Sequence, residues 1–181
     1  MASNRIAVTV SQLRSAGVYE RSLHTTLRRE GFKGLAEQIE AGVFTPVDEH
    51  RNLPTNAGAY FHQKNRDTNA MLVTNVFVKE LIVAGVSAQF ITLPELWEAV
   101  CDEGYRWSDH VVVFGMQDTK TNPYAEDPKL LRKLEYTVMK RMEAYKTFSF
   151  VSEQFPDVRS NDWYTDRFLN QLRLNTIVVA L

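Results

Sequence analysis

The stretch AGAYFHQKNRDTNAMLVTNVFVKELIVAGVSAQFITLPEL, residues 57–96, decides the fold. It opens with a short apolar strand, Ala59–His62, and crosses a polar loop. An amphipathic helix comes next over Ala70–Ala84, stopped by Gly85. A second strand, Ala88–Thr92, leads into a helix over Pro94–Asp102 with proline in the first turn, where a missing N–H costs nothing. Strand, helix and strand in this order specify a parallel pair joined by a crossover, because a tight hairpin can join only antiparallel neighbours.

The alternation continues outward from this unit. His110–Phe114 (HVVVF) carries no acidic or strongly basic residue and reads as a strand buried on both faces. Pro128–Lys146 reads as a long helix with Leu131, Leu134, Val138, Met142 and Tyr145 as its apolar stripe. Phe148–Ser152 is a strand, Asp162–Leu172 a helix, and Thr176–Leu181 a last strand. The fold class expected is α/β, with about five parallel strands and helices on both faces. Residues before this region read as helical. Ser11 caps a short helix ending near Gly17, Arg21–Glu30 forms a second with Leu23 and Leu27 one turn apart, and Lys33–Ala41 a third before Gly42. Thr45-Pro46 and Leu53-Pro54-Thr55-Asn56 break the pattern. The expected organisation is a helical N-terminal segment, 1–55, followed by an α/β domain, 56–181.

A chain of 181 residues with 44% hydrophobic and 11% aromatic side chains can bury a full core. One cysteine excludes an internal disulfide and any cysteine-cluster metal site. No apolar run reaches membrane-spanning length, and Met1–Arg5 leads into no signal-peptide hydrophobic region. A soluble protein of a reducing compartment, the cytoplasm, is expected, with no membrane partner. The net charge of −1 gives no global basic footprint for gripping duplex DNA, so nucleic-acid contact has to come from local patches.

Three local patterns and their order carry a resemblance. The first is the helix ending in Ala84-Gly85, then the strand and Thr92-Leu93-Pro94-Glu95-Leu96. The second is the strand His110–Phe114, and the third is Asp166-Arg167-Phe168-Leu169-Asn170-Gln171-Leu172-Arg173-Leu174 before the last strand. Together, residues from about 57 to 181 resemble the AAA+ ATPase domain of the bacterial helicase loader DnaC and its transposition relative IstB. The resemblance implies a P-loop-NTPase-like (AAA+/RecA-like) core and a role in replication initiation or DNA mobilisation in a bacterium, a phage or a mobile element.

The same resemblance shows what the chain lacks. A P-loop needs glycines, so that backbone N–H groups wrap the phosphates, and a lysine that neutralises them. On that pattern the first glycine falls on Lys64 and the later ones on Asp67 and Asn69, flanking Thr68. The lysine falls on Ala70 and the Mg²⁺-binding hydroxyl on Met71, and Asp67 places negative charge where phosphate oxygens belong. The Walker B aspartate and glutamate fall on Gly115 and Met116, which can neither hold a metal nor position a water. The polar sensor position falls near Glu153, again of the wrong charge, and only Arg167 matches the arginine finger. The expectation is a pseudo-ATPase with no cofactor, no metal and no catalytic residue of its own.

Other constellations are weaker. His24, His50, His62 and His110 are scattered without metal-ligand spacing, and Asp109 or Asp118 does not change that. Cys101 reads as a buried small hydrophobe, and Asp102-Glu103 and Glu126-Asp127 as helix ends. Arg28, Arg29 and Lys33 gather near the N-terminus, and Lys129, Arg132, Lys133, Lys140 and Arg141 line the long helix among Glu135 and Glu143. They read either as solvated helix faces or as a groove for single-stranded DNA, with Tyr105, Trp107 or Trp163 as stacking platforms. Tyr19, Leu23, Leu27 and Phe32 form an apolar face that serves either a protein partner or the protein's own domain. Three functions are in competition. The first is a non-catalytic adaptor for a helicase, polymerase or other ATPase subunit. The second is a single-stranded-DNA-binding accessory, and the third an enzyme with an unorthodox phosphate site at the sheet's C-terminal edge.

Overall fold

A computed structural model describes residues 6–45, 58–63, 68–115, 127–144, 146–152 and 164–181. In chain order the elements are α1 (Val10–Ser15), α2 (Glu20–Leu23), α3 (Lys33–Glu40), β1 (Gly58–His62), α4 (Ala70–Val83), β2 (Ala88–Thr92), α5 (Leu93–Cys101), β3 (His110–Phe114), α6 (Pro128–Glu143), β4 (Thr147–Ser152), α7 (Asp166–Leu174) and β5 (Thr176–Ala180). The five strands form one sheet in the order β2-β3-β4-β1-β5, and every pairing is parallel. From β1 the chain crosses three places to β2, then returns in the opposite direction through β3, β4 and β5. Right-handed crossovers therefore put α4 on one face and α5, α6 and α7 on the other.

The period of two along each strand divides the core accordingly. Ala59, Phe61, Ala88, Phe90, Val112 and Val151 face α4 and the N-terminal helices. Tyr60, Ile91, Val111, Val113, Phe148 and Phe150 face α5, α6 and α7. Central strands buried on both sides explain the uninterrupted apolar runs. β1 also passes very close to β4: a Cβ on Gly58 would overlap the Phe148 carbonyl oxygen, so only glycine fits there.

The N-terminal segment packs onto the α4 face and shares its core. Leu13, Val18, Leu27, Leu35, Ile39 and Phe44 are all buried in one cluster with α4 and the sheet. Each such side chain contributes about 1.5–3 kcal/mol when fully buried, so detaching the segment would expose a large part of the domain's stabilisation. Leu27 is fully buried, and Leu23 and Phe32 pack half-buried against the same cluster. Of the apolar face expected there, Tyr19 alone stays exposed, its ring edge-on to Phe90.

Several element boundaries differ from the sequence reading. α1 is capped by Thr9, not Ser11: Thr9 and Gln12 form a reciprocal capping box. The expected helix over Arg21–Glu30 is only the four residues of α2, and the backbone beyond it turns because α4 side chains hold it. α6 ends at Glu143, and α7 starts at Asp166, where Thr165 accepts a hydrogen bond from the Phe168 N–H.

Candidate functional site

The position matching a phosphate loop lies between β1 and α4. β1 sits between β4 and β5, with the C-terminal end of β3 two strands away. Lys64 and Asp67 fall outside the described residues. The backbone entering α4 is satisfied from within the chain. Gln63 Nε2 donates to the Thr68 carbonyl at 3.1 Å, and the Ala70 N–H donates to the same oxygen at 2.9 Å. Asn69 caps α4: its Oδ1 accepts from the Leu72 N–H at 3.0 Å, and its carbonyl accepts from the Val73 N–H at 3.0 Å. The first-turn N–H groups that would otherwise point at an anion are thus largely engaged by the chain itself. Ala70, at the lysine position, is buried, and Met71, at the hydroxyl position, is exposed.

At the end of β3, Gly115 adopts φ +83, in the left-handed region where glycine carries no Cβ penalty. Met116 and Glu153 fall outside the described residues. At the end of β2, Thr92 and Glu95 close a capping box, the Thr92 N–H donating to Glu95 Oε2 at 2.6 Å, so this carboxylate serves α5. Arg167 stands exposed in the first turn of α7, and no carboxylate among the described residues pairs with it. Positive charge there opposes the helix dipole, so its placement adds nothing to helix stability.

The structure sorts the basic residues by occupation. Arg28 pairs with Glu40 at 2.9 Å and Glu37 at 3.7 Å, and Lys33 also reaches Glu37 at 3.7 Å; Arg29 is exposed. Arg132 Nη1 lies 2.6 Å from Oε2 of Glu135, a buried carboxylate that also accepts from the N–H and Oγ1 of Thr165. It thereby ties the cap of α7 to α6. Arg141 is half-buried. Its guanidinium lies 4.8 Å from the Trp107 ring and 5.7 Å from Phe148, and it donates to the Ser108 carbonyl at 2.5 Å. Trp107 is half-buried, with Arg141 over one face of its ring. The Tyr105 hydroxyl accepts from Gln89 Nε2 at 2.8 Å, its ring is edge-on to Trp107, and Trp163 falls outside the described residues. The expected stacking platforms are thus packed where they are described. Lys129, Lys133 and Lys140 are exposed on the outer face of α6, together with Tyr136, an aromatic the sequence reading did not single out.

A second set of residues was also missed. Helix α4 holds the N-terminal segment through polar side chains on its inner face. Fully buried Asn75 donates to the Gly17 carbonyl at 2.8 Å and accepts from the Tyr19 N–H at 2.8 Å. Lys79 donates to the carbonyls of Ser22 and Thr25, and Glu80 accepts from the Leu27 N–H at 2.8 Å. Burial pushes the Lys79 pKa below its ordinary value, Glu80 opposing. The spacing 75, 79, 80 was the available signal, since these polar residues interrupt an otherwise apolar helix. A cavity of about 310 Å³ lies behind this contact, lined by Leu13, Leu23, Ile39, Lys79 and Glu80 among others.

His110 is completely buried, with Nε2 2.7 Å from Ser149 Oγ, which in turn accepts from the Ala59 N–H at 2.8 Å. Burial, only partly opposed by the Phe44 backbone, pushes its pKa down to about 3. It is a neutral core residue linking β3, β4 and β1. His24 is exposed and His62 half-buried, while His50 and Asp118 lie outside the described residues. No cluster of metal-ligating side chains occurs among the described residues. Cys101 is exposed, not buried as expected, because it is the last residue of α5, beyond the buried Leu96, Trp97 and Val100. No helix among the described residues is long and apolar enough to cross a membrane.

No protein-family model and no curated protein matches the sequence. Solved structures do. The chain is similar to AMPPCP-bound DnaA from Aquifex aeolicus, with a TM-score of 0.61 and 12% identity, covering 91% of this chain and 51% of that one. It is similar to the replication initiator DnaA bound to AMPPCP and single-stranded DNA, with a TM-score of 0.57 and 13% identity, covering 93% of this chain and 49% of that one. It is likewise similar to DnaI, with a TM-score of 0.58 and 13% identity, covering 90% of this chain and 93% of that one. The chain therefore spans about half the length of the DnaA chains and most of the DnaI chain. At these identities the likeness is one of fold. The protein has the α/β, P-loop-NTPase-like architecture expected from its sequence.

Proposed function

We propose that this protein is a non-hydrolysing adaptor in DNA replication or DNA mobilisation, which uses a nucleotide-hydrolase frame to hold a protein partner. One observation carries the reading. Where a nucleotide-binding member of this fold presents free N–H groups and a lysine, this chain has the Asn69 cap and buried Ala70. Among the described residues, triphosphate charge would meet no lysine there and few free first-turn donors, and Gly115 offers no side chain to a metal. The replication setting draws on the fold shared with DnaA and DnaI.

Arg167 gives the adaptor a chemical role consistent with this loss. Exposed in the first turn of α7, it would reach across an interface and stabilise transition-state charge in a neighbouring ATPase subunit. Titration with a fluorescent ATP analogue and Mg²⁺, together with a phosphate-release assay, tests the central claim. Neither saturable binding up to millimolar nucleotide nor turnover is expected. Saturable Mg²⁺-dependent binding would sink the adaptor reading and revive an enzyme with an unorthodox phosphate site. For a co-purifying ATPase identified from the native host, Arg167→Ala should lower the partner's turnover while the complex stays intact. Unchanged turnover removes the role in trans.

A further inference from the structure

We propose that the free edge of the sheet at β5 pairs with the same edge of a second copy of this chain, the two strands running antiparallel about a two-fold axis through Val178. The inference is independent of the adaptor reading and of any nucleotide, since it stands on the sheet edge and α7 alone.

The two edges of the sheet are treated differently. At the β2 edge the Phe90 N–H donates to the Ala16 carbonyl at 2.8 Å, so the turn after α1 closes that strand. Among the described residues no strand lies beyond β5. Which of its backbone groups are free follows from the pairing with β1. The Gly58 N–H donates to the Asn175 carbonyl at 2.8 Å, and the Leu181 N–H donates to the His62 carbonyl at 2.9 Å. Alternate residues of a strand turn their polar groups to opposite sides, so Ile177 and Val179 also serve β1. The N–H and C=O groups of Thr176, Val178 and Ala180 are left facing outward. Edge strands are normally guarded by a charge, a proline or a bulge, and TIVVA, in unbroken register with β1, has none of these. Val178, in register with buried Tyr60 and so on the α7 face, is 50% exposed, and Leu174 at the end of α7 is 79% exposed.

A second copy fits this edge because the edge is self-complementary. A two-fold axis at Val178 sets Val178 opposite Val178 and Thr176 opposite Ala180, and each outward N–H then meets an outward carbonyl. The charges on the flanking helix match in the same way. Asp166 and Arg173 are two turns apart in α7, which puts them within about 20° of each other around the helix. Phe168, Leu169 and Leu172 hold α7 on the sheet. In a right-handed helix running against the strands, that orientation turns Asp166 and Arg173 toward the β5 edge and away from α6. Both are exposed, and neither has an ion-pair partner among the described residues. The axis reverses the second α7, so Asp166 of each copy meets Arg173 of the other. Strand pairing by itself covers less than the about 800 Å² per partner of a stable interface, so Val178 and the two ion pairs have to contribute, and a micromolar equilibrium is expected.

Sedimentation velocity of the full chain from about 1 to about 200 μM tests this, with a shift expected from 20.8 kDa toward twice that mass. Val178→Pro removes an outward N–H and no bond to β1, so it should leave the circular dichroism spectrum native while raising the dimer dissociation constant about ten-fold or more. Asp166→Arg and Arg173→Asp read the same interface without touching the strand. Each sets like charges against one another at both ends and should weaken the dimer about ten-fold, and the double reversal should restore it. Hydrogen exchange of the parent adds a readout free of substitutions: the amides of Thr176, Val178 and Ala180 should be better protected at high than at low protein concentration. A chain that stays monomeric across the range, a dimer whose edge amides exchange at the monomer's rate, or one indifferent to both charge reversals would each overturn the pairing. Growth into open polymers would overturn it too, since a two-fold edge is used up by one partner.

Discussion

Replacing Asn75 with alanine should loosen the N-terminal segment from the sheet. The side chain is completely buried and makes one donor and one acceptor bond at 2.8 Å, to the Gly17 carbonyl and the Tyr19 N–H. Alanine cannot replace either bond. Each backbone group left without a partner costs about 1–3 kcal/mol, so the substitution should cost about 2–6 kcal/mol in all. Against a typical total stability of about 5–15 kcal/mol this is a large fraction. For a chain of this size it corresponds to a fall in melting temperature of roughly 5–15 °C. Urea denaturation measures the loss directly. Native-state hydrogen exchange localises it, because the Tyr19 amide should become one of the faster-exchanging sites while amides in β3 and β4 change only with global stability. Asn170→Ala, on the exposed side of α7, serves as control. A loss below about 0.5 kcal/mol, the range of ordinary surface substitutions, would refute the view that α4 reads the backbone of the segment through its buried polar side chains.

Three other perturbations have outcomes set by the geometry. His110 has its pKa lowered from 6.5 to about 3, so the unfolded chain binds the proton first, and stability should be intact above pH 6.5 and lost as pH falls toward 3. The slope approaches about 1.4 kcal/mol per pH unit, and between about pH 6.5 and 5 it should largely vanish in His110→Phe; an equal slope in both proteins assigns it elsewhere. Gly58→Ala places a methyl group on the Phe148 carbonyl oxygen and should prevent accumulation of folded protein, as judged by circular dichroism and size-exclusion chromatography; a native-like yield contradicts the close approach of β1 and β4. Asn69→Ala removes a cap worth about 1 kcal/mol, measurable in urea, and should leave nucleotide affinity as weak as in the parent; ATP binding gained by this change alone would show that the cap was the sole obstacle.

Much of the fold was legible because its signals are local. HVVVF can only be a central strand, and the residue types at 69–70 and 92–95 announce helix starts that the structure contains. The errors share a physical origin. Arg21–Glu30 has the local pattern of a helix, but Lys79 and Glu80, more than fifty residues away, bind its backbone in another conformation. Trp107 and Tyr105 are types that stack on bases, and in the fold Arg141 lies over the Trp107 ring while Gln89 donates to the Tyr105 hydroxyl. Cys101 belongs to the class of residues most often buried, and its place at the very end of α5 leaves it exposed.

By itself, the sequence determined the alternation of strands and helices and the parallel sheet it demands, because periodicity is a property of neighbours along the chain. Tertiary structure alone decided which polar groups are already spoken for. Arg141 and Trp107 are engaged with each other from different segments, while Lys129, Lys133 and Tyr136 are left on the outer face. The reason is that a charge or a ring is free to bind only when no distant segment has satisfied it, and distance along the chain says nothing about distance in space.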